Sequence, residues 1–218
     1  MGRTTGARGR GALRRGPGRP AGRSSHDGVL ADRDALLDAA ERLIRAQGPT
    51  VTLDAIAAEA GVTKPILYRG VGDKDALVQA LAERLVTRMT TEVTALVAAA
   101  SGPRRRLHEL VAGYLRCAGL DRHLYLYVTA GGHGDDRVRQ ALLLADRSAV
   151  GFAEGIAAFR IEQGTDPAVA RTWAYGMIGA LHFVTLWWLR DGTTDIDQIA
   201  EHVTTLLWSG LGGGATTP

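Results

Sequence analysis

Val51 to Leu77 reads VTLDAIAAEAGVTKPILYRGVGDKDAL, in which a short amphipathic helix, a tight glycine turn and a second short helix follow with almost no linker. Thr52 is a good N-cap for a helix beginning at Leu53, and Ile56, Ala57 and Ala60 form an apolar stripe at helical spacing. Gly61 lets the backbone turn, Val62 anchors the turn from beneath, and Thr63 is placed to cap the next helix. Pro65 suits a first helical turn because the amide it lacks would have had no acceptor there. Ile66 and Leu67 are expected inward, and Lys64, Tyr68 and Arg69 outward. This is the layout of a helix-turn-helix, whose second helix is presented to the DNA major groove. Thr63 and Lys64 stand at that helix's N-terminus, where free amides and the dipole favour phosphate. An ordinary helical hairpin shares the spacing, so spacing alone leaves both readings open.

The surrounding residues go further. Ala35 to Gln47, ALLDAAERLIRAQ, then Gly48, Thr52, Ile56-Ala57, Ala60-Gly61-Val62, Leu67-Tyr68, Lys74 and Leu77 resemble the N-terminal domain of the TetR family of bacterial transcriptional regulators. The resemblance implies an all-α chain: a three-helix DNA-binding domain followed by a larger helical domain for effector binding and dimerisation. It implies Thr63, Lys64, Pro65 and Tyr68 at or near double-stranded operator DNA and Lys74 on a phosphate at the start of the fourth helix. Thr52 and Arg69 complete the candidate DNA-binding set. The implied function is a cytoplasmic, homodimeric, ligand-responsive repressor that releases its operator on binding a small apolar or aromatic effector. One departure stands out, since the family has His-Phe where this chain has Gly70-Val71. The pair removes a phosphate donor and reduces buried volume, and Gly70 is expected to act as the C′ glycine ending the helix.

With 218 residues, 45% hydrophobic and 7 prolines, the chain can bury one sizeable helical core or two small ones. The single cysteine, Cys117, excludes an intramolecular disulfide and fits a reducing compartment. The longest apolar run, Ile178 to Leu189, is interrupted by His182 and is too short to span a bilayer, so no membrane is implied. The formal charge of +3 is uneven: residues 1–26 hold seven arginines and no acid, leaving 19 basic and 23 acidic residues, a net −4, for the rest. That glycine-rich segment cannot bury enough apolar surface to fold alone. Within it, Arg14-Arg15-Gly16-Pro17-Gly18-Arg19-Pro20 loosely resembles an AT-hook core, which makes Arg15 and Arg19 candidates for the minor groove. A non-specific polycation is the equal alternative. The expected organisation is an arm over 1–28, a helix-turn-helix domain over 29–75 and an effector-binding and dimerisation domain over 76–212.

Asp73 caps a long helix carrying Leu77, Leu81, Leu85, Met89 and Val93 to about Ala100, which Ser101-Gly102-Pro103 then breaks. Helices follow from Arg104 to Leu120, through Leu124, Leu126 and Val128, and from Asp135 to Gln163, where Gly151 and Gly155 mark a kink or a close helix approach. Pro167 to Arg190 is apolar nearly all round and is expected to be buried. The last helix repeats Ile196, Ile199, Val203, Leu206 and Leu207 as one seam, and these two helices are expected to pair with a second copy. Between reader and interface, core aromatics suit an apolar pocket with a few orienting hydrogen bonds, and Tyr114, Trp173, Tyr175 and His182 are the ligand candidates. No cofactor is implied. The loop Gly131-Gly132-His133-Gly134-Asp135-Asp136 lacks a nucleophile, and His123, His133 and Cys117 lack metal-ligand spacing, so an enzyme ranks last. The stronger alternative is a helical protein-interaction module with weakened DNA binding.

Overall fold

The computed structural model describes residues 1–2, 32–130, 135–192 and 194–209. The arm with Arg15 and Arg19, and the loop holding His133, lie outside the described residues. From Ala31 onward the chain forms a single unit. Its helices are α1 Arg33–Gln47, α2 Leu53–Glu59, α3 Lys64–Val71, α4 Lys74–Ala99, α5 Pro103–Leu120, α6 Arg122–Ala130 and α7 Asp135–Glu162. A 3₁₀ turn over Pro167–Val169 then leads into α8 Ala170–Asp191, and α9 is Ile196–Ser209. Among the described residues there is no strand.

Local chemistry sets the boundaries. The Asp32 carboxylate accepts from the Asp34 amide at 3.2 Å, and Asp73 accepts from the Ala76 amide at 2.9 Å, each filling an orphan donor of a first turn. Pro103 opens α5 directly after Gly102. The basic first turn of α5 opposes the helix dipole, and acidic partners offset it: Arg104 pairs with Glu201 of α9 and Arg105 with Glu109 one turn on.

One buried cluster runs from α1–α3 through α4 into α5 and α6, joining Leu36, Ile44, Leu67, Leu81, Leu124 and Tyr125. The expected boundary at residue 75 thus falls inside a continuous core. A second cluster packs α5 on α8 and α9 through Val111, Leu115, Leu181, Ile199 and Val203. A third joins α7 to α8 through Ala149, Ala174 and Ile178.

Three expectations turn on what a single subunit covers. Helix α8 is not buried all round within the chain: Ala174, Ile178, Leu181, Thr185 and Leu189 face inward, while Phe183 is 71% exposed and Trp173 and Trp187 nearly half exposed. An apolar helix needs cover on every side, and one subunit supplies only one. The α9 seam divides likewise, with Ile199 and Val203 packed on α5 while Leu206 and Trp208 stay exposed. At Gly151 and Gly155 an added Cβ would meet nothing within 4 Å, so neither marks a close helix approach within the subunit.

Candidate nucleic-acid interface and effector site

The reading unit is built as its sequence dictates. The Thr52 hydroxyl accepts from the Ala55 amide at 3.3 Å and starts α2. Gly61 then takes a φ of 68°, and the Val62 amide donates to the Ala57 carbonyl at 2.9 Å, closing the turn. Thr63 occupies the N-cap position of α3, but its hydroxyl makes no capping hydrogen bond; its carbonyl accepts from the Ile66 and Leu67 amides at 2.9 and 3.0 Å. Ile56, Leu67 and Val71 are buried beneath, and Ile66 is half-buried. Thr63, Lys64, Pro65, Tyr68 and Arg69 are exposed together on the other side, with Tyr68 at 41%. Lys74, exposed at the first position of α4, lies across the short turn from α3.

Two details of this unit differ from the expectations for Lys64 and Gly70. The Lys64 ammonium is held 3.0 Å from the exposed Asp54 carboxylate on α2, and that hydrogen bond raises its pKa. A phosphate reaching Lys64 therefore competes with an internal partner. Gly70 is not the residue that ends α3: the helix runs on through Val71, and Gly72, with a φ of 88°, ends it while its amide donates to the Tyr68 carbonyl at 2.9 Å. A Cβ at Gly72 would also lie 2.7 Å from the Ala76 Cβ, so both conformation and space require glycine. Val71 is 4% exposed, sealing the core where the family carries phenylalanine.

The effector candidates divide. Tyr114 and His182 meet through a third residue: the Tyr114 and Tyr125 hydroxyls are 3.0 Å apart, and the Tyr125 hydroxyl lies 2.8 Å from the His182 Nδ1. Tyr125, on α6 and 1% exposed, is the hub that the candidate set missed. Its position in an apolar run, Leu124 to Val128, gave no sign that its hydroxyl would join α5 to α8. Burial pushes the Tyr114 and Tyr125 hydroxyls above the usual tyrosine range and the His182 imidazole below its ordinary value, so all three are uncharged near neutrality. Trp173 and Tyr175 are not brought to this relay. The Arg160 guanidinium lies over the Trp173 ring at 4.8 Å, and the Tyr175 hydroxyl donates to Asp146 of α7. His123 and Cys117 are likewise separate: His123 Nδ1 donates to the Arg45 carbonyl at 2.9 Å, and Cys117 donates to Glu92 at 3.1 Å.

A two-helix reader with an exposed polar face, set on an all-helical body, defines the class: a helix-turn-helix DNA-binding protein. Residues 36–81 match the N-terminal domain described as bacterial regulatory proteins, tetR family. Residues 92–217 match the tetracyclin repressor-like C-terminal domain. The chain belongs to the TetR family of transcriptional regulators. It is 28% identical over 195 residues to an HTH-type transcriptional regulator of Mycobacterium tuberculosis H37Rv, covering 86% of this chain and 80% of that protein. It is 27% identical over 208 residues to the HTH-type transcriptional activator FasR of Mycolicibacterium smegmatis, covering 92% and 93%. Among solved structures, a TetR-like regulator from Rhodococcus sp. RHA1 aligns with a TM-score of 0.59 at 25% identity, over 83% of this chain and 96% of that one.

Proposed function

We propose that this regulator acts as a cytoplasmic homodimer that represses transcription and releases its operator when a small, largely apolar effector enters the body. The uncovered apolar face of α8 and α9 carries the reading. Phe183 is 71% exposed, Trp187 43% and Leu206 44%, and the small Gly176 and Gly179 on α8 meet no neighbour within 4 Å. A second copy laid on this face would bury the aromatics, let the α8 backbones approach closely and present two copies of α3 to successive major grooves. Among the described residues no helix is long and apolar enough to cross a membrane.

The Tyr114–Tyr125–His182 relay supports the effector's chemistry. Its groups are neutral, so the group best recognised is an uncharged hydroxyl, carbonyl or amide on an apolar frame; an ionised carboxylate would find no cation in the relay. For the sign of regulation, the tetracyclin repressor-like match over 92–217 favours repression, while the relative FasR is named an activator. Transcription in vitro from the promoter preceding this protein's own coding sequence tests it: added protein should lower transcript yield. A rise in yield would make the protein an activator.

A further inference from the structure

A ring of charges ties the reader to the body at one corner. The Arg45 guanidinium on α1 forks onto Asp121, which sits between α5 and α6, with Nε and Nη2 each 2.7 Å from one carboxylate oxygen. Glu41 of α1, 5% exposed, receives Arg45 at 2.8 Å and Arg88 of α4 at 3.0 Å, and Arg88 reaches Asp121 at 3.5 Å. The set closes on itself: two guanidinium groups, two carboxylates and three parts of the fold. One turn earlier on α4, Arg84 bridges Asp34 and Asp38 of α1 at 2.6 and 2.7 Å.

Beneath these charges α1, α4 and α6 share one apolar core. Apolar contact is non-directional, so it holds the reader on the body without dictating one angle. A bidentate arginine–carboxylate pair has fixed planar geometry and does dictate one. In a symmetric dimer, a small rotation of each reader about this corner changes the separation of the two α3 helices.

We infer that the Arg45–Asp121 fork, closed by Glu41 and Arg88, sets the angle of the reader and hence the half-site spacing the dimer accepts. These are positioning residues, and the inference rests on the dimeric reading proposed above. B-DNA advances about 34 Å per turn of roughly 10 base pairs, so one inserted base pair moves a half-site by about 3.4 Å and rotates it by about 35°. A rigid corner penalises that step, and a loosened one follows it.

The single cysteine offers a reporter beside the fork. Cys117 shares with Arg45, Arg88, Met89 and Asp121 a cavity of about 180 Å³, and burial with the nearby Glu92 pushes its thiol to about 12. In the closed corner it should alkylate slowly.

The test uses the full-length protein and a duplex that the wild type selects from a random pool, with the half-sites then moved apart or together by one or two base pairs. Wild type should lose on the order of tenfold in affinity per base-pair step, a ratio typical of one disturbed base or charge contact. Asp121→Asn, which keeps the shape and loses the charge, should flatten the profile to within about threefold and speed maleimide labelling of Cys117, with binding to an isolated half-site unchanged. Arg45→Lys, which keeps every charge and loses the fork, should do the same and carries the test if the first variant does not fold. A wild-type spacing profile in folded variants overturns the inference. If the wild type enriches no duplex, or one without two halves, the dimeric reader itself is wrong.

Discussion

Tyr125→Phe isolates the relay at the centre of the body. The side chain is 1% exposed and its hydroxyl serves two partners, Tyr114 at 3.0 Å and His182 Nδ1 at 2.8 Å. Removing one oxygen leaves both partners without that contact, and each unsatisfied buried group costs about 1–3 kcal/mol. His182 is half-buried, so its share falls toward the low end, and the sum should be roughly 2–5 kcal/mol. Tyr114→Phe ends the chain one link earlier and should cost only about 1 kcal/mol. Tyr125→Phe combined with His182→Leu, which removes the stranded imidazole, should recover part of the loss. Urea unfolding at fixed protein concentration, followed by circular dichroism and tryptophan fluorescence, measures all three. If Tyr125→Phe costs no more than Tyr114→Phe, the Tyr125 hydroxyl is not the hub of the relay.

Other outcomes follow from the same geometry. Phe183→Glu with Trp187→Glu should give a folded monomer by sedimentation, whereas Val203→Glu should unfold the subunit, because Val203 is 6% exposed and packed on α5. Burial holds the His182 imidazole below its ordinary 6.5, so the unfolded chain takes the proton first; the stability from this group is complete above 6.5 and is lost as pH falls below it. Urea midpoints recorded between about pH 8 and about pH 5 should therefore fall, and His182→Gln should fall less. Val71→Phe places a larger ring where the valine is 4% exposed and should lower stability by about 1–3 kcal/mol rather than raise it. Deleting residues 1–26 should flatten the slope of log affinity against log salt by about one to four units if the arginines act as a polycation. An unchanged slope with altered preference for A·T-rich flanks would favour minor-groove reading.

The helix order was legible because several boundaries carry a local signal: Thr52 and Asp73 as caps, Gly61 in its turn, and Pro103 after Gly102. The exposed face of α3 was legible from Leu67, which is buried as expected, whereas Ile66 is only half-buried and Val71, one turn after Leu67, completes the underside. What sequence could not fix was direction in helices with little polarity to orient them. Along α8, Leu181 and Phe183 are equally apolar, yet one is fully buried and the other 71% exposed. Nor could it fix pairs distant in sequence: Arg45 with Asp121, or Tyr125 with His182, meet only once the core has formed. Gly70 and Gly72 illustrate a third limit, because either could end α3 and the backbone uses the second. The Lys64–Asp54 pair belongs here too, as a contact that the outward-facing expectation for Lys64 did not supply.

Fluorescence anisotropy with the selected duplex and a scrambled one at several salt concentrations, comparing wild type with Lys64→Ala and Tyr68→Ala, asks whether α3 reads the DNA. Wild type should prefer the selected duplex, Lys64→Ala should weaken binding to both and lower the salt slope by about 1, and Tyr68→Ala should erode the preference between them. Unchanged affinity, slope and preference in both variants would contradict α3 as the reading helix.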